Sequence, residues 1–459
     1  MEVDYDLLPF QAKALMAEHP MIFVGAGIGS GKTDMAGAWA WMRVRESPPD
    51  VKGVIAANSY GQLYDSTLDN ILQNWREWQV RFEPKNLPAA NRPIDLMVYN
   101  DKLGHWVKVR CRSLEKWKLL SGQENGWYIE DEAQDASVDG FSMLEERNRD
   151  KRMPGGNRAL IITNLDDPSS WIYSRFHETH EPTRRGGLKL CTADGCGEGC
   201  RHWQWSENDE ELIIYASTFV NLKNLPDDYI RKQMRAMDTS RFDRRVVSLW
   251  HTKGSGAIYH AFNRAQHVTD EAEFDPALPI LWTHDFNIGQ DKPMSSALCQ
   301  VKKADGRIVL DVFDELILDS TDTNDSVSEF EERGWNKFPV VVYGDASGKA
   351  KDTRSKTTDY GILRKRGYGN QRVPKANPPI RTRHNIVNAR LKNAQGDIGL
   401  RLHPRVRALS KGLETVKIRK GAQYLEEESR EQHVTTALGY LCCVEFPEHP
   451  RTRAQDLWF

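Results

Sequence analysis

The feature that most constrains the fold is a glycine-rich turn that follows a short apolar run. Residues 21–24 are all apolar and lead into Gly25-Ala-Gly-Ile-Gly-Ser-Gly-Lys-Thr33. Glycines are needed where side chains would keep backbone N–H groups from an anion, or where φ must be positive. The stretch therefore predicts a strand, a phosphate-binding loop and the first turn of a helix.

The side chains around this loop have the chemistry that a nucleoside triphosphate requires. Lys32 can reach the outer phosphates, and Thr33 can offer its hydroxyl to Mg²⁺. Ala26 takes the place of the first glycine of the usual pattern, which is a small change. Upstream, Gln11 stands where many nucleotide-driven translocases keep a glutamine for adenine. The glycines that open the backbone to the phosphates are Gly27, Gly29 and Gly31.

Two later strand ends supply the remaining groups for nucleotide hydrolysis. The stretch 127–133 delivers Asp131 and Glu132 at the carboxyl edge of a strand, where ligands bind in open α/β sheets. We expect Asp131 to hold Mg²⁺ through water and Glu132 to polarise the attacking water. The next predicted strand ends with Thr163 and Asn164, which would sense the γ-phosphate.

Composition excludes a strongly basic protein and a membrane protein. The formal net charge is −2 and the pI is about 6.7, so a nucleic-acid surface must be a local patch. A length of 459 residues predicts two or three domains. Because no apolar run is long enough to span a bilayer, no leader is visible and the seven cysteines are odd in number, we expect a cytoplasmic protein.

Three cysteines and a histidine lie close together in a glycine-rich stretch. Thiolates and imidazole at such spacings can bind Zn²⁺. The spacing lacks a two-residue knuckle, however, and free cysteines of a reducing compartment are the alternative interpretation. The four candidate ligands are Cys191, Cys196, Cys200 and His202.

The pattern changes near residue 257, where a second domain begins. Three successive strands with short turns are predicted at 279–286, 296–301 and 307–313, followed by a helix at 326–333. A continuous apolar run at 339–345 then predicts a strand that is buried on both faces. The first and fourth strands end in Asp285 and Asp345, and two carboxylates on neighbouring strands can share a pair of Mg²⁺ ions.

The order and spacing of these motifs resemble those of the large subunits of tailed-phage terminases. The resemblance implies an α/β fold: a P-loop ATPase domain with a mostly parallel central sheet, followed by an RNase H-like nuclease domain with a mixed sheet. We expect the ATPase domain at 1–205, a linker or lid at 206–262 and the nuclease domain at 263–459. The motifs are 25–33, 131–132, 163–164, 217–226, Trp250, 256–259, 285–287, Pro293, 344–348 and 377–378.

The resemblance also implies a function, cofactors and partners. It implies ATP-driven translocation of double-stranded DNA into a procapsid and endonucleolytic cleavage of the concatemer, with ATP, Mg²⁺ and, at the nuclease site, Mn²⁺ as cofactors. The implied partners are double-stranded DNA, the portal protein and the small terminase subunit, in the host cytoplasm. The chain would form a ring-shaped homo-oligomer while packaging, with an arginine acting across each interface, and would be a monomer in isolation.

The last motif departs from the family pattern. The family keeps a third metal-binding aspartate three residues after a histidine, and here the sequence 433–440 places Thr436 at that position. Either the nuclease site has been lost, or His433, Glu428 or Glu431 replaces the missing carboxylate. The first case favours an alternative function, a helicase-like DNA translocase whose RNase H-like domain is inactive. A non-enzymatic assembly adaptor would additionally require a dead nucleotide site.

Overall fold

The chain forms two compact units in the computed structural model. One unit comprises Met1–Asp227 and Asp243–Thr252, and the other comprises Asp228–Phe242 and Lys253–Phe459. The predicted linker, 206–262, therefore contributes residues to both units. No helix in the described part of the chain is long and apolar enough to cross a membrane. The structure describes residues 6–87, 92–166, 170–178, 200–250, 257–287, 292–304, 306–319, 321–349, 357–419 and 424–447, and, for 189–191, 200 and 201, the backbone alone.

A large sheet forms the centre of the first unit. Within the described residues it has ten strands, in the order β3-β4-β5-β2-β6-β7-β1-β10-β9-β8. The six strands from β5 to β10 in this order are parallel, and antiparallel strands extend both edges. In chain order the strands are β1 (Met21–Ala26), β2 (Gly53–Ala57), β3 (Phe82–Glu83), β4 (Ile94–Asn100), β5 (His105–Ser113), β6 (Trp127–Asp131), β7 (Arg158–Thr163), β8 (Lys189–Cys191), β9 (Cys200–Glu207) and β10 (Glu211–Ala216).

Helices cover the sheet because its central strands are apolar on both faces. Every residue of β1 and β2 is buried, which is what continuous apolar runs predict for parallel strands. Every residue of β6 is buried as well, including Glu130 and Asp131. Since parallel strands end at the same edge, the ends of β1, β6 and β7 meet there and carry the predicted nucleotide residues. The helices of this unit are α1 (Pro9–Leu15), α2 (Lys32–Glu46), α3 (Tyr60–Gln62), α4 (Asp69–Glu77) and α5 (Val138–Arg147).

The second unit is built on a mixed sheet. Its strands are β11 (Ile280–Asp285), β12 (Met294–Ala304), β13 (Arg307–Leu318), β14 (Val340–Gly344) and β15 (Leu400–Leu402). They form the order β14-β11-β12-β13-β15, with an antiparallel meander β11-β12-β13 and β14 parallel to β11. The predicted meander and the predicted buried fourth strand are both confirmed.

Helices pack on both faces of this mixed sheet. The predicted helix at 326–333 begins earlier, because Asp322 caps it by accepting the N–H groups of Asn324 (2.6 Å) and Asp325 (3.2 Å). On the other face, the last helix is tied to β11 by Thr283, whose hydroxyl donates to the carbonyl of Ala437 at 2.6 Å. The helices are α6 (Tyr229–Ala236), α7 (Thr239–Phe242), α8 (Arg264–His267), α9 (Thr323–Glu332), α10 (Asp359–Lys365), α11 (Ile380–Leu391), α12 (Arg407–Thr415) and α13 (Gln432–Glu445).

Candidate functional site

The glycine-rich loop connects β1 to α2 in the first unit. Gly29 (φ 69°) and Gly31 (φ 87°) adopt left-handed backbone conformations, as their sequence positions predict. A Cβ on Gly27 would lie 2.5 Å from the hydroxyl of Thr218, so only glycine fits there. Ala26 is the last residue of β1 and has no such requirement, which explains why a methyl group is tolerated at this position.

Side chains from two other segments hold the loop by its carbonyl oxygens. Gln11 donates to the carbonyl of Gly31 at 2.8 Å, so this predicted adenine contact bonds to the loop itself. Asn221 donates to the carbonyl of Gly29 at 2.7 Å. The hydroxyl of Thr218 donates to the carbonyl of Ile28 at 2.8 Å. We call the 3₁₀ helix Thr218–Asn224 the clasp. The clasp and α1 therefore fix the loop in the shape that phosphate binding requires.

A cavity of about 530 Å³ opens at this loop. That volume lies within the range of small-molecule sites in proteins. Its wall includes Lys32 and Thr33, at the start of α2, and Asn70 from α4. The position at a helix N-terminus favours an anionic ligand.

Two carboxylates stand at the end of β6, as predicted. Asp131 is fully buried, and its oxygens accept hydrogen bonds from the Thr67 hydroxyl (2.7 Å) and from the N–H of Glu132 (2.8 Å). Burial, together with the negative charge of Glu132, raises the pKa of Asp131. The hydroxyl of Thr33 and the carboxylate of Asp131 are donors that Mg²⁺ prefers, so these residues fit the predicted magnesium site.

A hydrogen-bonded chain joins the lysine of the loop to the second carboxylate. Lys32 Nζ donates to Asn164 Oδ1 at 3.1 Å, and Asn164 Nδ2 donates to Glu132 Oε2 at 3.3 Å. Gln134 donates to the same Glu132 oxygen (2.5 Å) and accepts the Thr163 hydroxyl (2.5 Å). The structure thus brings together Lys32, Asp131, Glu132, Thr163 and Asn164.

The environment keeps Glu132 ionised. Burial would raise the pKa of Glu132, but the charge of Lys32 and the hydrogen bond from Gln134 outweigh it, and the charge of Arg245 adds to them. The resulting pKa lies below the usual value for a glutamate, which suits a general base. Glu132 also has a φ of 53°, a conformation that turns the chain sharply after β6.

The second unit brings its two predicted aspartates to neighbouring strand ends. Asp285 ends β11 and Asp345 directly follows β14, and the register of these parallel strands pairs His284 with Gly344. Both side chains are buried. Asp345 accepts hydrogen bonds from Ser347 Oγ and Gly348 N, both at 2.9 Å.

Burial and the nearby charge of Asp285 raise the pKa of Asp345, and the hydrogen bonds that Asp345 accepts only partly offset them. Two buried carboxylates near one another therefore favour a bound cation.

His433 lies beside the first aspartate. Its Nδ1 is 2.9 Å from Asp285 Oδ2 and 3.1 Å from Asn287 Nδ2. The other two predicted substitute ligands are paired with lysines: Glu428 with Lys292 at 3.4 Å, and Glu431 with Lys411 at 2.5 Å. Of the three candidates, the structure brings only His433 into contact with Asp285.

Thr436 contacts a carboxylate, that of Glu426, which the sequence analysis did not name. Thr436 Oγ1 donates to Glu426 Oε2 at 3.3 Å, and His384 Nε2 lies 2.6 Å from the other oxygen of this buried carboxylate. Burial would raise the pKa of Glu426, but His384 and Arg383 outweigh this effect and lower it. The only sign of this carboxylate in the sequence is the run of three glutamates at 426–428.

The metal donors of the second unit form an incomplete set. Among the residues that the structure describes, no three Asp, Glu, His or Cys side chains are placed to hold one metal ion. Asp285 and Asp345 have the donor chemistry that Mg²⁺ and Mn²⁺ prefer, so this carboxylate pair fits a metal while a third ligand is not assembled.

The chain is similar to known proteins in structure and not in sequence. No family model matches the sequence, and no curated protein matches it. A large terminase of the thermophilic bacteriophage D6E is similar in structure, with a TM-score of 0.65 and 14% identity over 96% of this chain and 99% of that one. The chain has the fold of a phage large terminase.

Two further structures of the D6E terminase carry nucleotides. The complex with ATP-γ-S has a TM-score of 0.64 at 13% identity, and it covers 96% of this chain and 99% of that one. The complex with ADP has a TM-score of 0.63 at 13% identity, with 95% and 99% covered. This terminase fold spans both units of the chain.

The predicted zinc ligands cannot be compared with this fold. Cys196 and the side chains of Cys191 and Cys200 lie outside the described residues. The ring of His202 stacks on Phe219, with centroids 6.1 Å apart.

Proposed function

We propose that the chain is the large subunit of a DNA-packaging terminase, which couples ATP hydrolysis to translocation of double-stranded DNA and cuts that DNA with a metal-dependent nuclease. The observation that carries this proposal is the chain of hydrogen bonds from Lys32 through Asn164 to Glu132. It links a phosphate-binding lysine to a general base through Asn164, the residue that directly follows β7. The nucleotide complexes of the similar D6E terminase support the same assignment.

Each residue of the first site has a role in hydrolysis. Lys32 binds and orients the outer phosphates, and Glu132 accepts a proton from the attacking water. Mg²⁺, held by Thr33 and Asp131, would supply positive charge for the phosphate oxygens. Asn164 contacts both Lys32 and Glu132, so a change at the γ-phosphate would alter its hydrogen bonds.

Steady-state ATP hydrolysis by the full chain tests the first part of this function. We expect turnover that increases with double-stranded DNA, and loss of turnover to background in Lys32→Ala. Arg149→Ala is a matched control, because the substitution removes a cation elsewhere in the same unit and the Arg149 side chain is 59% exposed. Equal turnover in Lys32→Ala and the wild type would rule out this site.

The nuclease assignment rests on the carboxylate pair of the second unit. Asp285 and Asp345 would hold the metal, with His433 beside Asp285 as an additional donor. Cleavage of supercoiled plasmid in Mn²⁺ should be lost in Asp285→Asn and in Asp345→Asn. If cutting is unchanged in both variants, the alternative stands: a helicase-like translocase with an inactive RNase H-like scaffold, which Thr436 favours.

The partners follow from the proposed function. We expect binding to double-stranded DNA, the portal protein and the small terminase subunit, assembly into a ring during packaging, and a location in the host cytoplasm. DNA contact through basic patches should weaken with increasing salt and be independent of sequence.

A further inference from the structure

The helix that follows β2 runs along the wall of the nucleotide cavity. Just before α4, the hydroxyl of Thr67 donates to a carboxylate oxygen of Asp131 at 2.7 Å. One turn into α4, Asn74 Nδ2 donates to Asp34 Oδ1 at 2.5 Å. These two contacts hold the helix against the end of β6 and against the start of α2.

Asn70 lies between these two contacts. It is four residues before Asn74, so the two side chains share one face of α4. It is three residues after Thr67, which binds the carboxylate of the predicted magnesium site. Asn70 lines the cavity together with Thr33 and Asp34, which follow the phosphate-binding lysine at the N-terminus of α2. The helix therefore places Asn70 at the end of the cavity that favours phosphate.

Four amide side chains line the cavity, and the protein itself engages three of them. Gln11 and Asn221 donate to carbonyl oxygens of the phosphate-binding loop, and Asn224 donates to Asn221 Oδ1 at 2.7 Å. Asn70 differs from them: its Oδ1 is buried without a hydrogen-bond partner, and its Nδ2 has no acceptor among the described residues. Polar groups inside proteins are usually paired, so an unpaired amide in a cavity wall is available to a ligand.

We propose that the amide nitrogen of Asn70 donates a hydrogen bond to a phosphate oxygen of the bound nucleotide. This inference rests on the proposed ATPase function and adds a binding residue from outside the phosphate-binding motif. An ionised phosphate oxygen accepts a hydrogen bond more strongly than a neutral oxygen does. Asp34, in the same wall, is an acceptor only when it is ionised, whereas the amide of Asn70 can donate.

Asn70→Ala separates a binding role from a structural one. The substitution removes an unpaired buried acceptor and introduces a better helix former, so the melting temperature without ligand should be unchanged or higher. Affinity for ADP should nevertheless fall by about 10-fold or more, the usual effect of losing one hydrogen bond to a charged group. Stabilisation of the protein by ADP should decrease accordingly.

Asn70→Asp tests the same contact with a side chain of equal size. It replaces a donor by a negative charge, so affinity for ADP should fall further than in Asn70→Ala. Gln73→Glu is the matched control, because it adds the same charge to an exposed position of the same helix. Gln73→Glu should bind ADP as tightly as the wild type.

Pyrophosphate identifies the part of the nucleotide that Asn70 contacts, because it carries phosphates and no nucleoside. Asn70→Ala should lose affinity for pyrophosphate by the same factor as for ADP, both with Mg²⁺ and in EDTA. A loss for ADP alone would place Asn70 at the nucleoside. A loss that requires Mg²⁺ would mean that Asn70 contacts a water of the metal ion. Either result overturns the proposal.

Two further results would overturn it. They are an ADP affinity of Asn70→Ala within about twofold of that of Gln73→Glu, and a melting temperature that falls without ligand while stabilisation by ADP is unchanged. Asn70→Asp provides the same comparison of affinities if Asn70→Ala does not fold. If the wild type itself does not bind ADP, the proposed function fails, whereas a binding wild type with normal binding by Asn70→Ala contradicts this inference alone.

Discussion

Gly27→Ala tests the packing of the loop against the clasp and against the turn Asp243–Val247. The added Cβ would lie 2.5 Å from Thr218 Oγ1, 2.7 Å from Thr218 N and 2.7 Å from Val246 O. Two of these neighbours are backbone atoms on separate segments, so a side-chain rotation cannot relieve the clash. Overpacking of this kind typically costs about 1–3 kcal/mol.

The expected effect is large enough to measure by thermal unfolding. For a unit of this size, 1 kcal/mol corresponds to about 2–4 °C, so Gly27→Ala should lower the melting temperature by about 2–12 °C. Gly37→Ala is the matched control, because it lies inside α2 with its nearest neighbour 3.6 Å from the new Cβ. This control should stabilise the unit by about 0.5–1 kcal/mol through helix propensity.

The backbone clash also makes a prediction for a double variant. Removing the Thr218 hydroxyl with Thr218→Ala leaves both backbone contacts in place, so it should not rescue Gly27→Ala. Rescue by Thr218→Ala would show that the clash is with the hydroxyl alone, and a Gly27→Ala melting temperature equal to that of the wild type would show that there is no clash. Gly27→Ala should also bind nucleotide more weakly than the wild type, since the loop must shift to accommodate the methyl group.

Two further predictions concern carboxylates. Without metal, Thr436→Asp should lower the melting temperature, because the new charge lies beside Glu426. Mn²⁺ should raise the melting temperature of Thr436→Asp more than that of the wild type or of the neutral control Thr436→Asn. An equal effect of Mn²⁺ on all three proteins would contradict this prediction. Asp150 accepts from Arg152 at 2.7 and 2.9 Å, and these hydrogen bonds lower its pKa. Because the pKa of Asp150 is lower in the folded state, its ionisation stabilises the folded state at pH values above the pKa of an unfolded carboxyl group, about 3.9. This contribution is lost as the pH falls through the pKa of the folded state. Urea unfolding should therefore show Asp150→Asn less stable by about 1 kcal/mol at pH 7, with the difference shrinking below pH 4. A difference that does not depend on pH would rule out this origin.

The sequence was sufficient for the elements whose signal is local. Continuous apolar runs predict the buried strands β1 and β14, because a parallel strand with both faces covered is built mainly from nonpolar residues. The carboxyl ends of such strands share one edge, which is why Asp131 and Asn164 could be expected to meet. Glycine positions likewise predict the loop between β1 and α2.

Contacts between distant segments were not predictable in this way. Asn221 and Arg245 reach the loop across roughly 190–220 residues of chain, and no periodicity records such a pairing. Glu428 and Glu431 were reasonable candidates near Thr436, yet the carboxylate that contacts it belongs to Glu426. A backbone bridge pairs Glu426 with Ile418, and helical spacing says nothing about a residue that lies outside the helix.

Glu132 is proposed to be the base of the ATP-hydrolysing site, and an assay that separates nucleotide binding from chemistry tests this role. Glu132→Gln keeps the length and hydrogen-bonding capacity of the side chain but cannot accept the proton. We predict that this variant binds ATP as tightly as the wild type in a titration with fluorescent nucleotide, while single-turnover hydrolysis falls by about 100-fold or more. Hydrolysis by Glu132→Gln at the wild-type rate would show that Glu132 is not the base.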